Sequence, residues 1–286
     1  MRKRFFGVLI LLLVFIMVGC NNDNDMVGSN VDNNISNESF EKSVKYIKCL
    51  NVNNHSSKVV KEGNANFSLE IMYFYPKDIT DNFKDNINGI VFDNNKIEVD
   101  SCKTMNRIET ESYILSSISI VGKFIDDNVV SENVTIELNN GDKLEINYGK
   151  LVNEPLEFNS LNDGKEELDL PNSIVTSKGD NSTYGIVNLS EYEIIAEELF
   201  VNDKFFTMNS NFSKIKVKPS SEEDLSTIWA LSVEPLDKQF VNYYYKPVLK
   251  YSINGENKYF SQSIGTKQGL YFMDISDIVL EEAVSN

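Results

Sequence analysis

The sequence predicts a mainly β protein whose folded part consists of two sandwich-like or barrel-like antiparallel domains. Three observations lead to this prediction. Apolar and polar residues alternate over many short segments, turn residues separate these segments, and a polar stretch divides them into two sets. The chain after residue 40 is also long enough for two domains of ordinary size.

The first set of segments lies in the predicted domain 41–160. In residues 67–75 the odd-numbered positions are apolar, as a strand with one buried face requires. Residues 134–138 and 144–148 alternate in the same way, and Asn-Asn-Gly-Asp stands between them. This arrangement predicts a hairpin. A β-branched run in residues 112–125 predicts another strand.

The second set lies in the predicted domain 184–286. Alternating apolar residues in 249–253 lead into Asn254-Gly255, a typical two-residue hairpin turn. Residues 258–264 can then form the returning strand. The pattern therefore predicts a second hairpin.

Two segments of this second set suit a short helix as well as a strand. Residues 190–193 (Ser-Glu-Tyr-Glu) have the spacing of a capping box ahead of an apolar run. Residues 221–224 (Ser-Glu-Glu-Asp) carry acidic side chains, which a helix N-terminus favours. Periodicity does not decide between the two structures, so both stay open for these segments.

A polar stretch separates the two sets of strands. Residues 161–183 contain Gly164, Pro171 and Gly179 but few apolar side chains, so we interpret them as a linker. Cleavage within this linker is expected to leave two folded fragments, because few apolar residues at this point could tie the halves together.

The N-terminus has the pattern of an export signal. Three basic residues come first, followed by an apolar run over residues 5–18 and by the small residue Gly19. The run of 14 residues is shorter than the roughly 20 that a membrane-spanning helix needs, but it fits the apolar region of a signal peptide. Residues 1–19 are therefore predicted to be a signal peptide. The basic residues are Arg2, Lys3 and Arg4.

This signal ends in Met17-Val18-Gly19-Cys20, after which the sequence becomes polar at once. These residues resemble the lipobox of bacterial lipoproteins, although Met17 stands where that family usually has Leu. The resemblance covers residues 1–20 only. It implies that a diacylglyceryl group is attached to the Cys20 thiol and that Cys20 becomes the first residue of the mature chain. Two acyl chains on one residue hold a protein stably on a membrane, here on its extracytoplasmic face.

Residues 20–40 are predicted to be a flexible tether between the membrane and the folded part. They are rich in Asn, Asp and Ser and contain few apolar side chains, so they cannot offset the entropy lost on ordering. Asp23, Asp25 and Asp32 lack the Gly and the terminal Glu that an EF-hand calcium loop requires. No calcium site is therefore predicted here.

The mature chain is strongly acidic. Without the three basic residues of the signal it keeps 24 of 27 Lys and Arg residues against 43 Asp and Glu residues, a formal charge of −19. Such a charge argues against nucleic acid as a partner, because nucleic acid requires basic patches. It also argues against docking on anionic lipid, so the acyl chains are expected to provide the anchoring.

Residues suited to catalysis or metal binding are few. The only histidine, His55, lies in a polar segment that we expect to be an exposed loop. One histidine without a cysteine cluster cannot form a typical zinc site, and no glycine-rich phosphate loop is present. Adjacent acids could serve a hydrolase only at a suitable spatial separation. No catalytic, cofactor or metal residue is therefore predicted. The adjacent acids are Glu197, Glu198, Glu222 and Glu223.

Two cysteines lie outside the signal, Cys49 and Cys102. An export compartment permits a disulfide between them. Neither lies cleanly on the apolar face of its segment, since Cys49 shares its face with Lys45 and Asn51. Two separate thiols are therefore the expectation.

Consecutive aromatic residues occur at 73–75 and 243–245. Alternate side chains of a strand face opposite sides, so one side of each run is expected in a core, while the other could bind a partner. Packing on a pleated sheet accounts for the aromatic residues equally well, and we prefer this interpretation. Tyr243 and Tyr245, or else Tyr244, are the positions to probe.

These observations favour a non-catalytic lipoprotein that is anchored in the cell membrane through Cys20 and contacts a protein or glycan with its β-domains. Two alternatives stay open. One is the ligand-binding component of a transporter or receptor, which typically has α/β lobes around a cleft. The other is a carboxylate-dependent cell-wall hydrolase, which would need a deep acidic cleft with two facing carboxylates.

Overall fold

The computed structural model describes the folded part of the chain in several stretches. The signal peptide, Cys20 and the predicted tether up to residue 33 lie outside them, as do His55, Glu222 and Glu223. The described residues are 34–54, 65–155, 161–162, 167–169, 176–177, 182–219, 227–261, 266–270 and 275–285.

Strands and turns make up most of the described chain and helices are few, which confirms the mainly β prediction. Helix α1 spans Asn34–Ser43 and helix α2 spans Asp277–Ser285. The strands before residue 160 are β1 (Lys45–Ile47), β2 (Cys49–Asn53), β3 (Asn66–Pro76), β4 (Ile87–Phe92), β5 (Ile97–Glu109), β6 (Tyr113–Phe124), β7 (Val129–Leu138) and β8 (Lys143–Asn153). The strands after residue 160 are β9 (Leu161–Asn162), β10 (Leu168–Asp169), β11 (Thr176–Ser177), β12 (Ser182–Asn188), β13 (Ile194–Phe200), β14 (Phe206–Ser210), β15 (Ile215–Val217), β16 (Thr227–Pro235), β17 (Asn242–Tyr245), β18 (Val248–Ile253), β19 (Glu256–Ser261) and β20 (Thr266–Gly269).

Hydrogen bonds join the described strands into four sheets. One four-stranded sheet has the order β1-β3-β6-β5, and a seven-stranded sheet has the order β11-β20-β17-β2-β8-β7-β4. The five-stranded sheet β15-β13-β18-β19-β9 and the four-stranded sheet β10-β12-β16-β14 contain only strands after residue 160. Most neighbouring strands are antiparallel, whereas β2 pairs in parallel with both β8 and β17.

Both predicted hairpins are present. Strands β7 and β8 pair antiparallel, with Val134 opposite Ile146. Strands β18 and β19 are joined by Asn254 and Gly255, whose φ angles are 52° and 83°. Positive φ angles at both central residues suit a type I′ turn, because the twist of this turn matches that of the paired strands.

The first core lies between the sheet β1-β3-β6-β5 and the strands β2, β8, β7 and β4 of the seven-stranded sheet. Alternate residues of β3, from Phe67 to Tyr75, face this core, as the periodicity predicts. Ile136 of β7 and Tyr148 of β8 meet them from the opposite sheet. Two sheets that bury one shared core form a β-sandwich.

The second core lies between the other two sheets. Tyr184 of β12 and Trp229 of β16 enter it from one sheet, and Leu249 and Tyr251 of β18 enter it from the other. The same alternation of inward and outward side chains builds this second sandwich.

Strands β17, β2 and β8 form a wall that both cores share. On β2, Leu50 belongs to the second core and Cys49 to the first. On β17, Tyr243 faces the second core, while Tyr244 packs against the first. Successive side chains of a strand point to opposite faces, so each strand of this shared wall supplies both cores.

A smaller apolar cluster lies on the outer face of the sheet β1-β3-β6-β5, beneath α2. Met72 and Phe74 belong to it, so β3 is buried on both faces. Leu280 and Ala283 of α2 cover the cluster. We call its remaining buried residues the outer patch, which consists of Ile47, Met72, Phe74, Leu115 and Val241.

The described helices lie outside the two segments that suited a helix. The apolar run after residues 190–193 is strand β13. Its backbone groups pair with β15 on one side and with β18 on the other, so the sheet satisfies the hydrogen bonds that a helix would make internally. Residues 221–224 lie outside the described part of the chain.

Helix α1 begins at Asn34, within the predicted tether 20–40. Its Phe40 is buried, and the ring packs edge-on against Tyr73, Tyr75 and Phe83 with centroids 5.3–6.3 Å apart. This one aromatic anchor offsets the low hydrophobicity of the residues around it. Neither helix of the described chain is long and apolar enough to cross a bilayer.

The domain limits 41–160 and 184–286 stay a prediction, and the shared wall offers a test of them. The linker alone predicts two folded fragments, and the shared wall adds that a chain cut once, at a protease site inserted after Gly164, should keep these two fragments bound together. Leu50 and Val152 come from the N-terminal fragment but pack in the second core, and β2 pairs with β17 of the other fragment. Size-exclusion chromatography with and without urea measures the association. Fragments that separate in buffer alone would contradict this expectation.

Candidate functional site

Of the acids that could have served a hydrolase, the structure describes Glu197 and Glu198, and Glu197 is ion-paired. Glu197 lies on β13, and its carboxylate is 3.5 Å from the Lys250 ammonium and 3.6 Å from that of Lys214. Ser252 donates a further hydrogen bond of 3.2 Å. Burial raises the pKa of Glu197, but these partners outweigh it and hold the pKa below its usual value.

This environment is the opposite of the one that a catalytic acid needs. A carboxyl that donates a proton near neutral pH requires a raised pKa. The neighbouring Glu198 is exposed on the same strand. Within the described residues no group of three or more His, Cys, Asp and Glu side chains is arranged to hold a metal ion.

The first aromatic run, at residues 73–75, is used for packing on both faces of β3. Tyr73 and Tyr75 face the first core, and their hydroxyls donate hydrogen bonds to the Asp81 carboxylate at 2.7 and 3.3 Å. Phe74 belongs to the outer patch beneath α2. Neither face of this run is open to a partner.

The second aromatic run is also packed. Tyr243 and Tyr245 are buried in the second core, and the Tyr243 hydroxyl donates a hydrogen bond of 2.7 Å to the Val233 carbonyl. Tyr244 is half-buried against the first core. Since none of the three rings is exposed, the packing interpretation accounts for all of them.

Cys49 and Cys102 both carry thiols and are not linked to each other, as expected. Cys49 lies on β2 in the shared wall and is buried in the first core, contrary to the polar face that its sequence neighbours suggested. It is buried because both faces of β2 are covered. Burial raises the pKa of the half-buried Cys102 and so disfavours its reactive thiolate form.

A groove of about 430 Å³ lies where α2 meets the hairpin of β5 and β6. Ser276 precedes the helix, and its hydroxyl accepts a hydrogen bond of 3.4 Å from the Val279 amide. This is the geometry of an N-cap, which satisfies an amide that the helix itself leaves unpaired. The groove is open to solvent and lies between two carboxylates of α2, those of Asp277 and Glu281.

Asp277 joins the first turn of α2 to the β5–β6 turn. Its carboxylate accepts hydrogen bonds from the Ser112 amide, at 3.0 and 3.3 Å, and from the Thr110 hydroxyl. The bonds from Thr110 and Ser112 hold the pKa of Asp277 below its usual value. The carboxylate therefore stays charged while it holds the turn.

Glu281, one helical turn further on, joins α2 to the sheet. Its carboxylate accepts a hydrogen bond of 2.7 Å from the Lys45 ammonium and another from the Tyr113 hydroxyl. These bonds lower the pKa of Glu281 and raise that of Tyr113. The Lys45 ammonium also lies 5.6 Å from the ring centroid of Phe74. One lysine thus contacts both the helix and the outer patch.

The sequence by itself did not indicate this groove. Ser276 followed by Asp277 is a helix start signal, and the apolar positions Leu280 and Ala283 share one helical face. These signals could have indicated the helix, but not the surface on which it lies. Lowered pKa values and hydrogen-bonded partners suit Asp277 and Glu281 to holding the helix in place rather than to transferring protons.

Comparison with known proteins identifies no family: neither a family model nor a curated protein matches this chain. Among solved structures, a protein of unknown function from Porphyromonas gingivalis W83 is 9% identical, with a TM-score of 0.23 over 80% of this chain and 100% of that chain. The D00-D0 domain of intimin is 8% identical, with a TM-score of 0.20 over 77% of this chain and 98% of that chain. A chimeric titin Z1Z2 tandem is 11% identical, with a TM-score of 0.17 over 79% of this chain and 97% of that chain. Similarities this distant indicate no shared function.

Proposed function

We propose that the protein is a lipoprotein that is anchored through Cys20 to the extracytoplasmic face of the cell membrane. In this proposal its β-sandwiches act by contact with a surface protein or a glycan, without a cofactor and without catalysis. The observation that carries the proposal is the lipobox-like sequence Met17-Val18-Gly19-Cys20 at the end of an apolar signal. Cys20 itself lies outside the described residues.

The described structure supports the contact part of the proposal in two ways. The sandwiches and the shared wall bury their aromatic side chains, which makes a rigid scaffold of the kind that carries binding loops. The described carboxylates that could serve a hydrolase are ion-paired or exposed on one strand rather than facing each other across a cleft.

The anchor is tested by replacing the thiol that would carry the lipid. We expect Cys20→Ala to abolish incorporation of labelled palmitate and to leave the protein either uncleaved or released from the cell, because no thiol accepts the diacylglyceryl group. Metabolic labelling, membrane fractionation and the mass of the mature chain measure these effects. Cys102→Ala is the matched control, since it removes a half-buried thiol of the folded part and should leave labelling intact.

Two outcomes would contradict the proposal. A Cys20→Ala protein that is still shortened, lipid-labelled and bound to membranes would overturn the lipid anchor. Hydrolysis of peptidoglycan or of simple glycosides by the mature protein would overturn the non-catalytic role, provided that Glu197→Gln or Glu198→Gln abolishes it without unfolding the protein. The same test applies to Glu222 and Glu223.

A further inference from the structure

The outer patch has a cover that differs from those of the two sandwich cores. The cores lie between sheets whose strands are hydrogen-bonded to their neighbours, whereas helix α2 provides part of the cover of the outer patch, together with Leu270 and Ile275. Without that helix, the outer patch would lose the part of its cover that Leu280 and Ala283 provide. Contiguous apolar surface of this kind usually marks an interaction site or a cause of aggregation.

The apolar attachment of α2 is small. Of its nine residues, only Leu280 and Ala283 are buried, and Ile278 is 70% exposed. A helix of this length is not stable alone in water, so α2 depends on its contacts with the sheet. Elements with few buried contacts open more often than the whole protein unfolds.

The polar attachment of α2 therefore decides how firmly the helix is held. Asp277 is bonded to the β5–β6 turn, and Glu281 is bonded to Lys45 of β1 and Tyr113 of β6. Both contacts are open to water: the side chains of Lys45 and Glu281 are 40% and 42% exposed, and the hydrogen bonds from the Ser112 amide to Asp277 lie at the surface. Solvent and protons can reach these bonds without disturbing the cores.

We propose that α2 is a detachable latch: Asp277 and Glu281 hold it on the sheet, and its release uncovers the outer patch while both sandwiches stay folded. The latch is a conformational device that is independent of the lipid anchor and of the contact function. Its state is set by the carboxylates of Asp277 and Glu281.

Acid is one condition that releases the latch. The pKa values of Asp277 and Glu281 are lower in the folded chain than their ordinary values of 3.8 and 4.5. Their contribution is therefore complete above the ordinary values and is lost as the pH falls through the lower folded values. The charged and titratable groups around them are Lys45 of β1, Lys77 after β3, Tyr113 of β6 and Glu282 of α2.

The experiment is hydrogen–deuterium exchange on the full mature chain at pH 7. In the double variant Asp277→Asn with Glu281→Gln, we expect amides of α2 to exchange about tenfold faster than in the wild type, as loss of two exposed charge-assisted contacts predicts. Amides of β7 and β8 should keep their wild-type rates. The matched control, Glu191→Gln with Glu198→Gln, removes two negative charges at exposed positions elsewhere and should change neither region.

A second measurement keeps the test independent of how well the variant folds. Protection factors of α2 in the wild type should begin to fall below about pH 4.5 and continue to fall towards about pH 2, before those of β7 and β8 do, with a parallel rise in binding of an apolar dye. Equal exchange of α2 in the double variant and its control would overturn the proposal. So would acceleration of β7 and β8 by the same factor, because opening would then be global unfolding.

Discussion

Replacing Gly149 by alanine is expected to be among the most damaging single changes in this chain. Gly149 lies on β8 opposite Cys49 of β2, in the parallel ladder of the shared wall. Its φ angle is +119°, and a Cβ at this position would lie 2.1 Å from the Cys49 carbonyl oxygen and 2.6 Å from its amide nitrogen. These are backbone atoms, so the clash with the added Cβ can be removed only if β8 and β2, the strands between the two cores, move apart. We expect a loss of about 3 kcal/mol or more in the free energy of unfolding.

Urea denaturation of the mature protein measures this loss, and Gly89→Ala is its matched control. Gly89 also lies in a strand of the seven-stranded sheet, but a Cβ there would meet only the Glu137 side chain, at an ordinary 3.6 Å. The control should change stability by about 0.5 kcal/mol or less. Similar stabilities for the two variants would show that β2 and β8 are not in contact at Gly149.

Tyr243→Ala is expected to have the second large effect. The ring lies 6.0 Å from that of Phe206 and 6.2 Å from that of Tyr245 between centroids, in the second core. Its removal leaves a cavity and removes the hydrogen bond that the Tyr243 hydroxyl donates to the Val233 carbonyl. Large-to-small changes of this kind cost about 3–5 kcal/mol of unfolding free energy. Tyr243→Phe keeps the ring and should cost only about 1 kcal/mol.

The control for this prediction is an exposed tyrosine of the same half. Tyr192 is 53% exposed, so Tyr192→Ala should change stability by about 0.5 kcal/mol or less. Thermal and urea denaturation of the three variants check the ranking. A Tyr243→Ala protein that keeps wild-type stability would show that the ring faces outward and would reopen the aromatic run as a binding face.

The sequence by itself predicted the features that depend on neighbouring residues, such as which face of a strand is buried and where a hairpin turns. The odd-numbered residues of β3 face one core because a strand alternates its side chains between two faces. Asn254-Gly255 closes a hairpin because both residues tolerate positive φ. The lipobox-like segment is local in the same sense, since the motif consists of consecutive residues. Lipid attachment at Cys20 stays a prediction.

The remaining features depend on partners far away in the chain. Leu151 lies beside Asn51 although about 100 residues separate them, and no local pattern specifies this pairing. Strand β13 is a strand rather than a helix because its backbone groups pair with those of β15 and β18. Phe74 lies on the face of β3 opposite the first core and is buried in the cluster beneath α2, which is far from β3 in the sequence. Alternation of apolar and polar residues indicates a strand with one buried face. A strand that distant elements cover on both faces is therefore identified only from the tertiary structure.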